Sequence, residues 1–404
     1  MLLSLFLLLL AQGAAPQPAP DQVAPALAAA IQLVQEGHDA DGLAALQKIV
    51  TANPNDQLAR LWIARVHDRM GHPNLAEAVY RSVALEDPRN VEALVGIGVT
   101  LTEQDQIKDA IEALERAEAL SPQNPNVLVA LGQAQDRAGR TDRSIGYFQR
   151  VVAISPTEDH RLALEHARFE HGHRFESQTY GEQFNGSTRD TRGSDLSLNI
   201  RVSETLRVAA RGQLQTKFGR KENREGGGAQ WRWKPSTTLT GQALVGGNNR
   251  VLPRADYLGQ IDYSHHRAAW TAAGRYFNFS GARVVMLSPA VAWTMSDTWT
   301  FGLRYALTTT DIASSARQRG HSTQIRAAHE IRSRVWLQGA YTRGVEDFDS
   351  FSSDRIGAFR ANTGSVGVRV VLPTLTSIVG NYDHQWRRNG VRMNRFNILL
   401  VQSF

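Results

Sequence analysis

The sequence predicts an α-helical repeat solenoid followed by an antiparallel transmembrane β-barrel of about 14 strands. Three observations carry this expectation. Proline recurs every 34 residues, at Pro54, Pro88, Pro122 and Pro156. From about Phe175 onward the helical period gives way to segments that alternate apolar and polar residues, the period-two pattern of strands with one greasy and one wet side. The charge divides at the same place. Residues 1–172 hold 14 Lys+Arg against 22 Asp+Glu, and residues 173–404 hold 31 against 17, so the two parts are different kinds of object.

The first residues, MLLSLFLLLL, form an apolar run followed by small residues in AQGAA and a Pro-rich stretch. The run is too short for a spanning helix, which needs ~20 residues, and has the length of a secretory signal. We expect a signal peptide over 1–15, cut between Gly13 and Ala15, and a Pro/Ala-rich linker over 16–24. The chain has no cysteine. That excludes a disulfide framework, a thiolate metal site, a cysteine nucleophile and a lipid anchor on cysteine.

Residues 25–172 are expected to form the repeat domain. The units run about 23–56, 57–90, 91–124 and 125–158, with a charged cap helix over 159–170. Small residues recur where paired helices would cross, at Ala64, Gly98 and Gly132 and again at Ala76, Ala110 and Ser144. Large apolar residues follow at Tyr80, Leu114 and Phe148. Gly37, Gly71 and Gly139 fall between paired helices, and Asp105 stands where the third unit would have glycine. This spacing resembles the tetratricopeptide repeat. Such units stack to share one core, and the concave side of the stack commonly meets a protein partner. The positions expected there are Leu61, Arg65, Asp68, Val95, Val99, Gln133 and Asp136; the competing reading of each is an ordinary solvated helix face.

Residues 173–404 supply fourteen alternating segments. In 196–202, Leu196, Leu198, Ile200 and Val202 oppose Ser197, Asn199 and Arg201. In 299–308, Trp299, Phe301, Leu303 and Tyr305 oppose Thr300, Arg304 and Thr308. Connections after even-numbered segments are very short, and most after odd-numbered ones are longer, including GRKENREGG, GGNNRVLPRA and EDFDSFSSDRIGA. Tight turns at one end and long loops at the other are the habit of outer-membrane barrels. A soluble sandwich would also bury one strand face, but many of these segments approach the ~9–11 residues of a spanning strand. The chain ends on NRFNILLVQSF, with Phe396, Ile398, Leu400 and Phe404 on one face. A last strand of this kind closes a barrel against its first strand and leaves no free edge.

Taken together, a signal peptide, a few repeats and a C-terminal barrel resemble the YaiO-like outer-membrane protein family, most closely over SSDRIGAFRANTGSVGVRVVLPTLTSIVGNYDHQWRRNGVRMNRF, residues 352–396. The resemblance implies an outer-membrane location with the repeats in the periplasm. The architecture also looks like the export porins for exopolysaccharides. The terminal Phe pattern resembles the signal read by the barrel-insertion machinery, so lipid, that machinery and a periplasmic protein are the expected partners.

The inner face is expected to carry Arg201, Arg207, Arg211, Lys217, Arg232, Arg275, Arg304, Arg326, Arg369, Arg387 and Arg395. A passage lined by one sign of charge concentrates the other, and guanidinium groups grip carboxylates and phosphates in pairs. The first expectation is therefore a pore for an anionic or hydroxyl-rich polymer such as a polysaccharide. The second is a plugged barrel that anchors a binding scaffold, its arginines paired with Asp195, Asp262, Glu330 and Asp383. An enzyme is not expected: G-x-S-x-G, H-E-x-x-H and the P-loop are absent, and no spacing supports a nucleophile–base pair. No metal or cofactor is expected, since His171 and His173 lack a ligand-site spacing and Asp347, Asp349 and Asp354 lack the Gly and Glu of a calcium loop. With Arg355 these aspartates mark EDFDSFSSDR as the loop to watch. Nucleic acid is not expected either, because the basic residues are spread over strand faces instead of one exposed patch.

Overall fold

The computed structural model describes residues 25–185, 190–296, 298–312, 317–344, 353, 356, 361–387 and 390–404. The expected signal peptide and linker lie outside the described residues, as do Asp347, Asp349, Asp354 and Arg355. The chain divides into two compact units, Met1–Ala167 and Arg168–Phe404.

The first unit is built of helices α1 (Pro25–Gln35), α2 (Asp39–Ala52), α3 (Gln57–Arg69), α4 (Pro73–Glu86), α5 (Val91–Glu103), α6 (Ile107–Leu120), α7 (Pro125–Arg137), α8 (Thr141–Ile154) and α9 (Glu158–His171). The last turn of α9 belongs to the second unit. The 34-residue period has a local cause. Asp56, Asn90 and Asn124 stand one period apart and cap α3, α5 and α7, their side chains accepting from Ala59 N, Ala93 N and Asn126 N; a cap of this type adds about 1 kcal/mol. Between paired helices the chain turns through the left-handed region at Gly37, Gly71 and Gly139 (φ 87°, 76° and 75°). Asp105 takes the same conformation at φ 63°, which aspartate tolerates better than most residues. The apolar residues form successive clusters, centred on Leu46 and Val66, then Ala64 and Tyr80, then Leu114 and Leu131, then Phe148 and Leu164. Each unit thus completes its core only against its neighbour.

The second unit is a closed antiparallel barrel: β1 (Arg174–Phe184), β2 (Thr191–Arg201), β3 (Leu206–Lys217), β4 (Arg220–Lys234), β5 (Thr237–Val245), β6 (Ala255–His265), β7 (Ala268–Asn278), β8 (Ala282–Thr294), β9 (Trp299–Ile312), β10 (Gln318–Arg332), β11 (Val335–Arg343), β12 (Ala361–Leu372), β13 (Thr376–Arg387) and β14 (Arg392–Ser403). Each strand pairs with the next, and β14 pairs back to β1 from Arg174↔Ser403 to Phe184↔Met393. Phe404 N and His173 O extend that seam at 2.9 Å. Closure leaves no edge.

One connection differs from expectation, and a second packs inward. GRKENREGG is not a loop. β3 and β4 meet in a two-residue turn, Phe218–Gly219, with φ 55° and 79°, the left-handed pair that matches strand twist; Arg220–Gly226 continues the strand and pairs with Lys217–Arg211. GGNNRVLPRA is a long connection between β5 and β6, as expected, and part of it is buried. Asn249, Val251 and Leu252 are buried, because the Glu222 carboxylate gathers the backbone N–H groups of Arg250, Val251 and Leu252 at 2.7–3.1 Å.

Apolar side chains dominate one strand face and are exposed on it: Leu198, Leu214, Leu303, Val366, Phe396 and Ile398 are all 40–60% exposed. Exposed aromatics gather near the tight-turn end, where Tyr263 stacks on Trp270 (centroids 5.6 Å) and Trp299 on Phe301 (5.7 Å). Among the described residues no helix is long and apolar enough to cross a membrane.

Candidate functional site

By strand alternation all eleven expected bases lie on the face opposite this apolar one, directed into the barrel. They fall into two groups along its axis. Towards the long-loop end, buried bases meet carboxylates. Glu182 receives Lys217 Nζ at 3.0 Å and Arg395 Nη2 at 2.5 Å, with Asp383 3.8 Å from Arg395. Asp256 receives Arg224 Nη1 at 2.9 Å and Arg275 Nε at 2.8 Å. Gln213 accepts from Arg224 Nε at 2.7 Å. All these side chains but Asp383 are nearly or wholly withdrawn from solvent. Charges in such a setting persist only as pairs.

Sequence reasoning missed Arg224, Glu182 and Asp256. Arg224 lies in GRKENREGG, whose charges fall on both faces and give no strand alternation. Glu182 meets Arg395, 213 residues away, and Asp256 meets Arg275 on the next strand and Arg224 two strands back. Asp262, an expected acid, accepts from Gln260 and Thr271. Beside these pairs lies an apolar cluster of Phe277, Phe279, Ala282, Val284, Met286 and Ala306, with Ile312 and Ile356 against it. Ser353 N donates to Val251 O at 2.8 Å. The long-loop end of the interior is therefore packed and crossed by ion pairs where a wet basic lining was expected.

Towards the tight-turn end bases donate to carbonyl and hydroxyl oxygens. Arg207 donates to Glu170 O and Gly172 O, both at 2.9 Å. Arg232 donates to Glu204 O at 2.6 Å, Arg201 to Ser203 O at 3.4 Å and Arg369 to Ser377 Oγ at 3.2 Å. Arg174, not among the expected residues, donates to Phe169 O and to the Glu170 carbonyl and carboxylate. Midway, Arg211 donates to Gln242 and Arg387, higher up, to Gln385. Arg326 is exposed on the inner face beside Arg304. Its guanidinium lies over Gly302, where any Cβ would collide with it. On β14, Phe396, Ile398 and Phe404 are exposed on the outer face and Leu400 is half-buried. His173 Nδ1 accepts from Arg201 N at 3.0 Å.

In the helical unit the expected concave positions separate. Leu61 is 4% exposed and belongs to the core with Ala64 and Tyr80; it is not a free surface, because the neighbouring unit packs over it. Val95 and Val99 are nearly buried and, with Arg65, Glu92, Asn124 and Asn126, line a cleft of about 190 Å³. Arg65 pairs with Glu92 at 2.8 Å and lies over Trp62. Gln133 and Asp136 are half-buried on α7. Asp68 is 8% exposed, accepts from Tyr80 Oη at 3.2 Å, and is pushed up to about 8 by burial, reinforced by the charge of Glu103. Its Oδ1 has no partner, as suits a carboxyl that holds its proton.

Two tetratricopeptide-repeat family models match, over residues 63–125 and 101–165. No protein of curated function matches the chain. Similar solved structures include a thermophilic TPR protein of Thermus thermophilus, 21% identical, TM-score 0.34, covering 36% of this chain and 80% of that one. PilF of Pseudomonas aeruginosa is 22% identical, TM-score 0.33, covering 36% and 67%. MamA of Desulfovibrio magneticus is 20% identical, TM-score 0.32, covering 36% and 82%. The N-terminal helices are tetratricopeptide repeats, and a closed antiparallel barrel follows them.

Proposed function

We propose that this chain is an outer-membrane barrel that carries a periplasmic repeat scaffold and supports the export or assembly of a cell-surface polymer. One observation carries the location: a closed barrel with its apolar side chains outside and its buried charges inside. Only a closed barrel satisfies every strand's backbone in lipid, and aromatic residues at the ends of an apolar band suit the interface. Tight turns then face the periplasm and long loops the exterior. Repeats of this type commonly bind protein, so a periplasmic protein partner is assigned to the cleft at Val95 and Val99. The likeness of residues 352–396 to YaiO-like proteins supports the same placement.

Between the two expected roles, the packed long-loop end favours an anchor whose barrel is closed at rest. The basic, water-accessible half below it favours a passage that opens when a partner or polymer arrives. Single-channel recording on the refolded chain separates them. A barrel folded by heat-shifted gel mobility but electrically silent supports the closed anchor. A steady anion-selective current at rest overturns closure and supports a standing pore.

A further inference from the structure

We infer that the connection between β5 and β6, residues 246–254, is an inward strap that closes the long-loop mouth of the barrel, with the Glu222 carboxylate as its pin; this deepens the closed-at-rest reading and rests on it. Glu222 stands two residues before Arg224 on β4, so strand alternation gives it the same inner face. Its pair on β3 is the buried Gln215. From that wall the carboxylate takes three successive backbone N–H groups. Oε1 accepts from Arg250 N at 2.8 Å and Val251 N at 3.1 Å, and Oε2 from Val251 N at 3.0 Å and Leu252 N at 2.7 Å. Bonds to a carboxylate are stronger than bonds to a neutral oxygen. The strap follows its pin inward: Leu252 is wholly buried and Val251 nearly so. A connection that only rounded the rim would leave its backbone to water.

Two features make the strap a closure. The first is what it meets. Val251 O accepts from Ser353 N at 2.8 Å. Ser353 belongs to the connection between β11 and β12, which is rooted almost opposite β5 and β6 in the ring of strands. That bond therefore joins elements from opposite walls across the mouth. The second is how the strap is held. Its base continues the barrel ladder, with Gly246 N bonded to Arg254 O at 2.9 Å and Arg254 N to Asn278 O at 2.7 Å. At Gly246 the chain turns in so close to β4 that any Cβ would collide with Asn223 O and the Asn249 side chain. Beyond that turn Asn249 Nδ2 donates to Asn223 O at 2.9 Å, and Glu222 makes the other bonds to β4. Loss of the Glu222 carboxylate strips three N–H groups of this acceptor, two of them on buried residues, and a buried donor without its acceptor is costly. The β3–β4 ladder is untouched, because Glu222 pairs there through its backbone. The strap is thus fastened to the wall at one side chain and can be freed without breaking the barrel.

The chain has no cysteine, so one introduced thiol reports on the strap. The test uses the full chain refolded in detergent, with folding checked by heat-shifted gel mobility. Leu252→Cys should react slowly with a water-soluble maleimide. Adding Glu222→Gln, which keeps the shape of the side chain, should speed that labelling about tenfold or more, the loss expected for one bond to a charged group; Glu222→Ala should speed it further. Glu225→Ala, on the other face of β4, should change it less than about twofold. In a planar bilayer the unsubstituted chain should be silent, and both Glu222 variants should pass current. A Leu252→Cys thiol that reacts as fast as in the denatured chain while Glu222 is in place, or labelling unmoved by either Glu222 variant, overturns the pin; with a silent barrel it leaves the closed reading standing. Faster labelling in Glu222 variants that stay silent overturns the strap as the closure. A steady current from the unsubstituted chain overturns closure at rest itself.

Discussion

The helical unit and the barrel use the same apolar residues in opposite places. In the helices Leu94, Leu114, Leu128 and Leu131 are at most 1% exposed, and polar groups lie outside. In the barrel Leu214, Leu287, Leu303 and Ile398 are 47–60% exposed, while Arg224, Asp256, Lys217 and Glu182 are buried. The first unit is held by withdrawal of hydrocarbon from water. The second has its hydrocarbon facing outward, which suits lipid, and its interior is held by hydrogen bonds and ion pairs that must be complete. Substitutions that exchange these two logics sharpen the difference.

The largest effect is expected inside the barrel. The Asp256 carboxylate is bonded to both Arg224 and Arg275, and it is fully buried. Asp256→Asn takes the carboxylate charge away from two buried guanidinium groups. Breaking a buried pair costs about 3–5 kcal/mol. The barrel should lose its heat-shifted gel mobility at a markedly lower urea concentration, and the helical circular-dichroism transition should not move. A barrel unchanged in urea would mean that water already reaches Asp256.

Next comes a pair of leucines. Leu131 is fully buried in the helical core, so Leu131→Ala should cost about 2–5 kcal/mol in that unit. Leu303 is 47% exposed on β9. Leu303→Arg should cost about 2–4 kcal/mol in lipid if it sits near the bilayer midplane, and far less in a soluble setting. Liposome insertion yield reads the second. An arginine there that leaves insertion unchanged would remove the lipid from that face.

Much of this difference was legible in sequence because each unit repeats a simple period. The prolines at 54, 88, 122 and 156 mark turns whose caps, Asp56, Asn90 and Asn124, recur with them. The apolar rows on β2, β9, β12 and β14 mark strands with one greasy side. The first half of β4 escaped notice because Arg220–Glu225 is charged on both faces. Beyond the apolar band a strand has no alternation to read. Glu182 escaped for another reason: its partner Arg395 lies 213 residues away, and only closure of β1 on β14 brings the two together. The same limit hid Arg174, whose strand neighbours are fixed by register and not by spacing along the chain.

Asp68 breaks the apolar rule of the helical unit and gives the smallest prediction. It is a carboxyl in a hydrocarbon core, raised from 3.8 to about 8, first by burial and then by Glu103. In the unfolded chain it loses its proton near 3.8; in the fold it keeps it until about 8. Between those values the folded state binds more protons, so stability is fullest below about pH 4 and falls as pH rises towards 8. The fall is at most about 1.4 kcal/mol per pH unit from this one group. We expect the urea midpoint of the helical transition in the full chain to drop between pH 6 and 7, and Asp68→Asn to remove most of that slope, since an amide is neutral throughout and can still accept from Tyr80. A slope that survives in Asp68→Asn would assign it to another group, His67 being the nearest candidate. Burial and the charge of His72 lower that imidazole, so its contribution has the opposite sign: stability rises as pH climbs through its range. The direction of the surviving slope therefore tells the two apart.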